Sequence, residues 1–268
     1  ELFPPVSQPV DVIGTVTQEA AAQTGLRAGT EVLAGSVDGA AAALEGGVTA
    51  DGVAVEMSGT SSVLLVGSDR PHTSPNLTYM YSVVPEQHLL LGCMSTTGGV
   101  LKWYRDTFCD RADPAIYKKL DAQILAQCPE PSPLIFLPYL VGTNAPEFDA
   151  DAAGMFWGLR QEHDVFDMAH AVMEGVAFML RKNCDAIAAK GTKPDHIIAT
   201  GGGAKSPVWC QLQADITGLP VVVPREKEAA CLGAAIVAAV SDRQYADYAQ
   251  AAAHCVAMVP RYEPHPTA

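Results

Sequence analysis

The sequence predicts a mixed α/β domain, on three observations. Strand-like apolar runs joined by tight turns fill much of the first half. The second half alternates helical periodicity with short apolar strands, the pattern of a sheet flanked by helices. Between residues 196 and 217, an apolar run, three consecutive glycines and a Ser-Pro pair follow one another as strand, glycine loop and helix.

Taken in order, residues 1–30 are rich in Pro, Gly and small side chains and are expected to wrap the surface. Residues 31–37 read as a strand running into a turn, and residues 39–44 as a short alanine-rich helix. Residues 53–57 and 62–66 read as paired strands around Ser58-Gly59-Thr60-Ser61. Residues 79–84 and 88–94 give two more strands, turned by Pro85-Glu86-Gln87. Helices are expected over 99–108 and 114–126, and a short strand over 134–137. Residues 165–189 form a long amphipathic helix, with Val165, Met168, Val172, Val176, Met179 and Ile187 on or near one face. A buried strand over 196–200, a helix over 207–217 and a strand over 221–223 follow, then helices over 228–240 and 245–258. Ser206 suits the N-cap of the 207–217 helix and Pro207 its first position.

Composition narrows the function classes. The chain has 268 residues, 49% of them hydrophobic, enough for a substantial core. A net charge of −13 argues against nucleic acid and against an anionic membrane surface as partners. No apolar run is long enough to span a bilayer, and no signal peptide is recognisable. Seven scattered cysteines, none in a C-x-x-C pair, read as reduced core residues of a cytoplasmic protein and give no zinc pattern. The chain begins at Glu1, and Leu2-Phe3-Pro4-Pro5 reads as sequence from inside a longer protein.

Four segments carry chemistry. Gly201-Gly202-Gly203-Ala204-Lys205-Ser206 fails the P-loop pattern, because Ala199 and Ala204 stand where its two glycines belong. It fails G-x-G-x-x-G at Ser206, leaving a structural turn or a close-packed flat ligand such as an adenosine. Lys205 is then a surface residue. Ser58-Gly59-Thr60-Ser61-Ser62 is either an ordinary hairpin or one whose N–H and hydroxyl donors hold a phosphate. Asp38, at a strand's end before small residues, is either a helix N-cap or an accessible general base. Thr96-Thr97-Gly98-Gly99 opens a helix, as a capped entry or a phosphate-facing N-terminus.

The order of these segments resembles the C-terminal half of the FGGY carbohydrate kinases, nearest to their xylulokinase-like members, across nearly the whole chain. Residues 12–16 and 24–30 look like the lead-in to that family's second domain. Gly35-Ser36-Val37-Asp38 looks like its catalytic-aspartate segment, and Gly59-Thr60-Ser61 like its phosphate hairpin. Gly154-Met155-Phe156-Trp157-Gly158-Leu159, Asp167-Met168 and Ala171-Val172-Met173-Glu174-Gly175 match its second signature in type and spacing. Gly201 to Ser206, with Trp209 and Gln211, looks like its adenosine motif, and residues 229–235 like the segment that follows.

The resemblance implies an actin-like ATPase, ribonuclease H-like fold, in which residues 1–268 are the ATP-binding domain and the N-terminal sugar-binding domain is absent. It implies that Asp38 is the general base and that Gly59, Thr60 and Ser61 hold phosphates of ATP. Gly98 and Gly99 would approach phosphate or ribose, and Gly201, Gly202, Gly203, Ala204 and Ser206 would line the adenosine. Mg²⁺ would arrive with ATP, with no dedicated metal site on the chain. The implied partners are a sugar or polyol, the N-terminal domain and a second copy in a homodimer. Where xylulokinases carry Gly-Glu-Arg before a proline, this chain has Gly142-Thr143-Asn144-Ala145-Pro146, so the sugar is left unassigned. A non-catalytic nucleotide-binding module is the alternative function, and an actin-like chaperone or filament protein a more distant one.

Overall fold

A computed structural model describes residues 5–127, 131–225 and 229–265. Readings that fall on residues 1–4, on Cys128 and on the helix start at Glu228 lie outside the described residues. The surface segment is more ordered than composition suggests. Strand β1 (Val12–Thr15) and β2 (Glu31–Leu33) pair as an antiparallel ribbon around helix α1 (Gln18–Thr24). Its exposed Val12, Ile13 and Val32 keep it outside the core, as expected.

Helix α2 (Asp38–Glu45) leads to β3 (Ala54–Ser58), β4 (Ser62–Ser68), β5 (Thr78–Tyr81) and β6 (His88–Met94). Helices α3 (Gly98–Phe108) and α4 (Ile116–Gln127) follow, then β7 (Ile135–Leu137) and β8 (Met155–Trp157). Helix α5 (Val165–Ala188), β9 (Ile197–Gly201), α6 (Pro207–Thr217), β10 (Val221–Pro224), α7 (Ala229–Ser241), α8 (Tyr248–Cys255) and β11 (Met258–Tyr262) complete the order.

Seven strands form one mixed sheet in the order β11-β10-β9-β3-β4-β6-β5. The antiparallel meander β3-β4-β6 joins β9 and β10, which run parallel to β3, and the outer β5 and β11 are antiparallel to their neighbours. Side chains alternate across the pleat. Ala54, Leu64, Leu90, Ile197 and Ala199 pack towards Met179, Leu180 and Cys184 of α5 and Cys210 and Ala214 of α6. Val55, Leu65, Leu89, Ile198 and Val222 face α2, α7 and α8. The result is three layers, with a satellite core where Tyr104, Leu120, Phe136, Met173 and Trp209 meet.

Besides β1, two strands were not anticipated. Met258, read as the last residue of a helix over 245–258, instead begins a strand over 258–262 that pairs with β10, because Pro260 cannot continue a helix and β10 offers an unpaired edge. Residues 155–157 pair with β7 and stay largely exposed, so their pattern carried no burial signal. The first turn of α5 also departs from the amphipathic reading. Val165 is exposed and Met168 half-buried, while Val172, Val176, Met179 and Ile187 are buried as expected. That turn is held by a capping box between Asp164 and Asp167, with Phe166 and Met168 packed in part against the satellite core.

Only part of the cysteine reading holds. Among the described residues six cysteines are free: Cys184 and Cys210 are buried, Cys93, Cys109 and Cys255 half-buried, and Cys231 exposed. No described helix is long and apolar enough to cross a membrane.

Glu45, the last residue of α2, is fully buried, and neither carboxylate oxygen has a hydrogen-bond partner among the described residues. Burial pushes its pKa up to about 7. The folded protein therefore holds this proton more tightly than the unfolded chain. Its stabilising contribution is full below the ordinary carboxylate range and is lost as pH rises through about 7. Glu45→Gln should melt close to the parent near about pH 4 and become more stable than it above about pH 8, by on the order of 3 kcal/mol. Melting curves at the two pH values read this difference, and a pH-independent difference would refute it.

Candidate functional site

The site is built around the β3–β4 turn. Ser58 and Ser62 pair across the ladder, leaving Gly59, Thr60 and Ser61 at an exposed tip. The tip closes with a hydrogen bond from the Gly59 N–H to the Ser61 carbonyl, 2.9 Å. No acceptor among the described residues takes the N–H or hydroxyl of Thr60 or Ser61. An exposed turn with unspent donors suits an anion's oxygens.

Two other segments dock onto this turn by backbone. The Gly98 N–H donates to the Gly59 carbonyl at 3.0 Å, and the Gly99 N–H to the Thr60 carbonyl at 2.9 Å. A Cβ at Gly98 would collide with the Gly59 carbonyl, and one at Gly99 would lie 2.8 Å from that of Thr60. On the other side the Gly202 N–H donates to the Ser58 carbonyl at 2.7 Å. Gly201 takes φ +78°, and a Cβ there would strike the Ser58 carbonyl. A Cβ at Gly203 would fall 2.5 Å from the Ser58 hydroxyl oxygen.

These glycines thus let three backbones meet. The first N–H groups of α3, which the sequence left as either a capped entry or a phosphate-facing terminus, are spent inside the protein. Thr97 does not cap α3 with its side chain. Its hydroxyl instead lies 2.6 Å from the Ser62 hydroxyl and 3.3 Å from the Gly59 carbonyl.

The triple-glycine loop runs through a 3₁₀ turn, Gly203–Lys205, into α6. Ser206 caps α6 as expected, accepting from the Trp209 N–H at 3.0 Å, with Pro207 at the helix start. The Ser206 hydroxyl also donates to Asp121 Oδ1 of α4 at 2.9 Å, a partner 85 positions away that spacing could not reveal. Lys205 is exposed, as expected, and Gly202 and Ala204 face outward in part.

Asp38 sits apart from this cluster, at the start of α2, and is exposed. It is not the N-cap. Val37 holds that position, and Asp38 Oδ1 accepts only the neighbouring Gly39 N–H, 2.7 Å. The N-cap reading therefore falls, and the carboxylate is exposed. The structure brings together residues 58–62, 97–99 and 201–206. It records no hydrogen bond between Asp38 and any of them.

Sequence reasoning passed over Glu56. It lies in the middle of β3, 1% exposed, between Leu64 of β4 and Ala199 of β9. The signal was there, since a charged residue interrupts the apolar run 53–57. The second signature is architectural. A Cβ at Gly175 would collide with the Phe136 carbonyl, so this glycine seats α5 on β7. One residue earlier, Glu174 accepts the Ser132 N–H at 3.0 Å. In the departing segment Thr143 is buried, and Asn183 and Asn76 donate to the Ala145 and Pro146 carbonyls. No group of three His, Cys, Asp or Glu among the described residues is arranged to hold a metal ion.

This fold and turn define a class, the actin-like ATPase fold with a donor-rich β-turn beneath a glycine loop. The sequence model for the C-terminal domain of the FGGY family of carbohydrate kinases matches residues 54–241, and the chain belongs to that family. It is 33% identical over 241 residues to a xylulose kinase of Staphylococcus epidermidis, covering 89% of this chain and 48% of that protein. The crystal structure of xylulose kinase from Rhodospirillum rubrum superposes with a TM-score of 0.88 at 31% identity, covering 98% of this chain and 53% of that one. Glycerol kinase of Plasmodium falciparum shares the fold at 19% identity and a TM-score of 0.83, covering 96% of this chain and 51% of that one. The chain spans about half the length of the curated relatives it matches.

Proposed function

We propose that the chain is the nucleotide-binding half of an ATP-dependent carbohydrate kinase of the xylulokinase type, acting with an N-terminal sugar-binding domain. The observation that carries this reading is the turn Gly59-Thr60-Ser61, exposed and with donors unspent among the described residues. It lies between the helix start at Gly98-Gly99 and the loop Gly201 to Ser206, in a chain whose relatives are named xylulose kinases.

Thr60 and Ser61 hold the β- and γ-phosphate oxygens of ATP through N–H and hydroxyl donors. Gly98 and Gly99 fix the turn from behind. Gly202, Gly203, Ala204 and the capped start of α6 at Ser206 form the wall against which the adenosine lies, with Gly201 setting the loop's direction. Mg²⁺ enters with the nucleotide and offsets its charge. Asp38 takes the proton of the sugar hydroxyl as that oxygen bonds to the γ-phosphorus. The β–γ bridging oxygen then departs with ADP. Little covalent chemistry is asked of the protein, and rate comes from placement and charge compensation.

A reconstitution assay tests the reading. The chain alone should bind MgATP and turn nothing over. Chain plus an N-terminal half from a xylulose kinase relative should transfer phosphate from ATP to a ketose or polyol within a screened panel. No nucleotide binding by the chain would overturn the proposal. Binding without turnover in every reconstituted mixture would favour a non-catalytic nucleotide module.

A further inference from the structure

The nucleotide reading uses the outer face of the 59–61 turn and leaves unused a buried chain of side chains beneath it. Ala54, Glu56 and Ser58 alternate onto the face covered by α5 and α6. There Glu56 sits on the central strand, fourth of seven counted from either edge, in a largely apolar layer. Its Oε2 has no hydrogen-bond partner among the described residues, while Ser58 on the same strand face, Ser62 diagonally across the ladder and Gln213 of α6 lie around the carboxyl with donors to offer. The Ser62 hydroxyl oxygen lies 3.3 Å from that of Ser58 and 2.6 Å from that of Thr97. The Thr97 hydroxyl reaches the Gly59 carbonyl at 3.3 Å. Glu56, Ser58, Ser62 and Thr97 are all at most 2% exposed.

Each hydroxyl owns a single proton, so such a chain has a direction. With Glu56 protonated, the acid donates to Ser62, Ser62 to Thr97, and Thr97 to the Gly59 carbonyl. With Glu56 ionised, it accepts from Ser62, Ser62 accepts from Thr97, and the Gly59 carbonyl keeps only the Gly98 N–H. We infer that Glu56 is a positioning residue for the phosphate turn, acting through Ser62 and Thr97 to fix Gly59 and so the donors of Thr60 and Ser61. The inference rests on the nucleotide reading of that turn and adds a proton-dependent control to it.

Burial pushes the Glu56 pKa up to about 7, against the opposing hydrogen bonds of Ser62, Ser58 and Gln213. The other titratable groups facing it are Cys184 on α5 and Cys210 on α6, both pushed up to about 12 by burial and so neutral near neutrality. Asp121 on α4 reaches Cys210, and burial raises it against the Ser206 hydrogen bond. The facing positions of β4 and β9, Leu64 and Ala199, and the start of α3 carry no charge. Ionised Glu56 both releases Gly59 and places a negative charge beneath the phosphates. Nucleotide affinity therefore falls as pH rises through neutrality.

Calorimetric titration of the chain with MgADP tests this. From about pH 6 to about pH 8.5 the parent should lose about fivefold in affinity relative to Glu56→Gln. The glutamine amide donates as the protonated acid does and cannot ionise, so this variant should hold the parent's low-pH affinity throughout. Glu56→Ala, with no donor, should bind weakly at both ends. A merely structural role would give parent and Glu56→Gln the same pH slope, and that result overturns the inference while leaving the nucleotide reading intact. Absence of MgADP binding in the parent at every pH overturns both. The glutamine arm decides the matter even if the alanine variant fails to fold.

Discussion

Asp38→Asn in the reconstituted kinase is expected to lower sugar phosphorylation by about 10³-fold, the range a positioned general base supplies, with nucleotide affinity unchanged. The substitution is close to isosteric. Asn keeps a side-chain oxygen for the Gly39 N–H, which Asp38 Oδ1 accepts at 2.7 Å, so the first turn of α2 survives. What disappears is a carboxylate able to take a hydroxyl proton. Asp38 is exposed and has no hydrogen bond to the turn at 59–61, so nucleotide binding has no reason to change. Single-turnover phosphorylation and MgATP titration of parent and variant separate the two effects. Turnover within about tenfold of the parent would remove Asp38 from the base role.

The second large effect is on stability. Gly233 of α7 is buried where that helix crosses α2, and a Cβ there would fall far inside contact distance of the Ala41 carbonyl. Backbone cannot swing aside as a long side chain can, so the helices must separate. Their separation loosens the layer in which Ala40, Ala43 and Leu44 pack with Ile236 and Val237 against the sheet. Gly233→Ala should cost about 3 kcal/mol or more, a fall in melting temperature of roughly 6–12 °C. Because α2 also carries Asp38, turnover should fall even at temperatures where the variant stays folded. A thermal melt unchanged within a degree or two, about the noise of a small surface change, would contradict this packing.

Much of this molecule was legible in its sequence because the signals were local. Alternation placed β3, β4 and β6, and Ser206-Pro207 marked the start of α6. Where the signal was not local, the reading fell short. Met155-Phe156-Trp157 pairs with β7 while largely exposed, and residues 258–262 take the free edge of β10. Neither choice is encoded in a periodicity. The same holds at the site. The donors at Thr60 and Ser61 follow from residue type in a short turn. The destination of the Gly98 and Gly99 N–H groups does not, because their acceptors lie nearly 40 positions upstream.

By itself the sequence determined the family, most of the elements and the residue types that offer donors at the 59–61 turn and a carboxylate at position 38. Those properties reside in residue chemistry and in spacings of a few positions. The tertiary structure alone decided what the glycines are for. At Gly98, Gly99, Gly201 and Gly203 the missing Cβ admits another stretch of backbone, Ser58 to Thr60, and only the assembled sheet brings that backbone within reach. It also decided that Glu56 lies buried beneath the turn at 59–61, since burial is set by the layers that close over a strand and not by the strand's own letters.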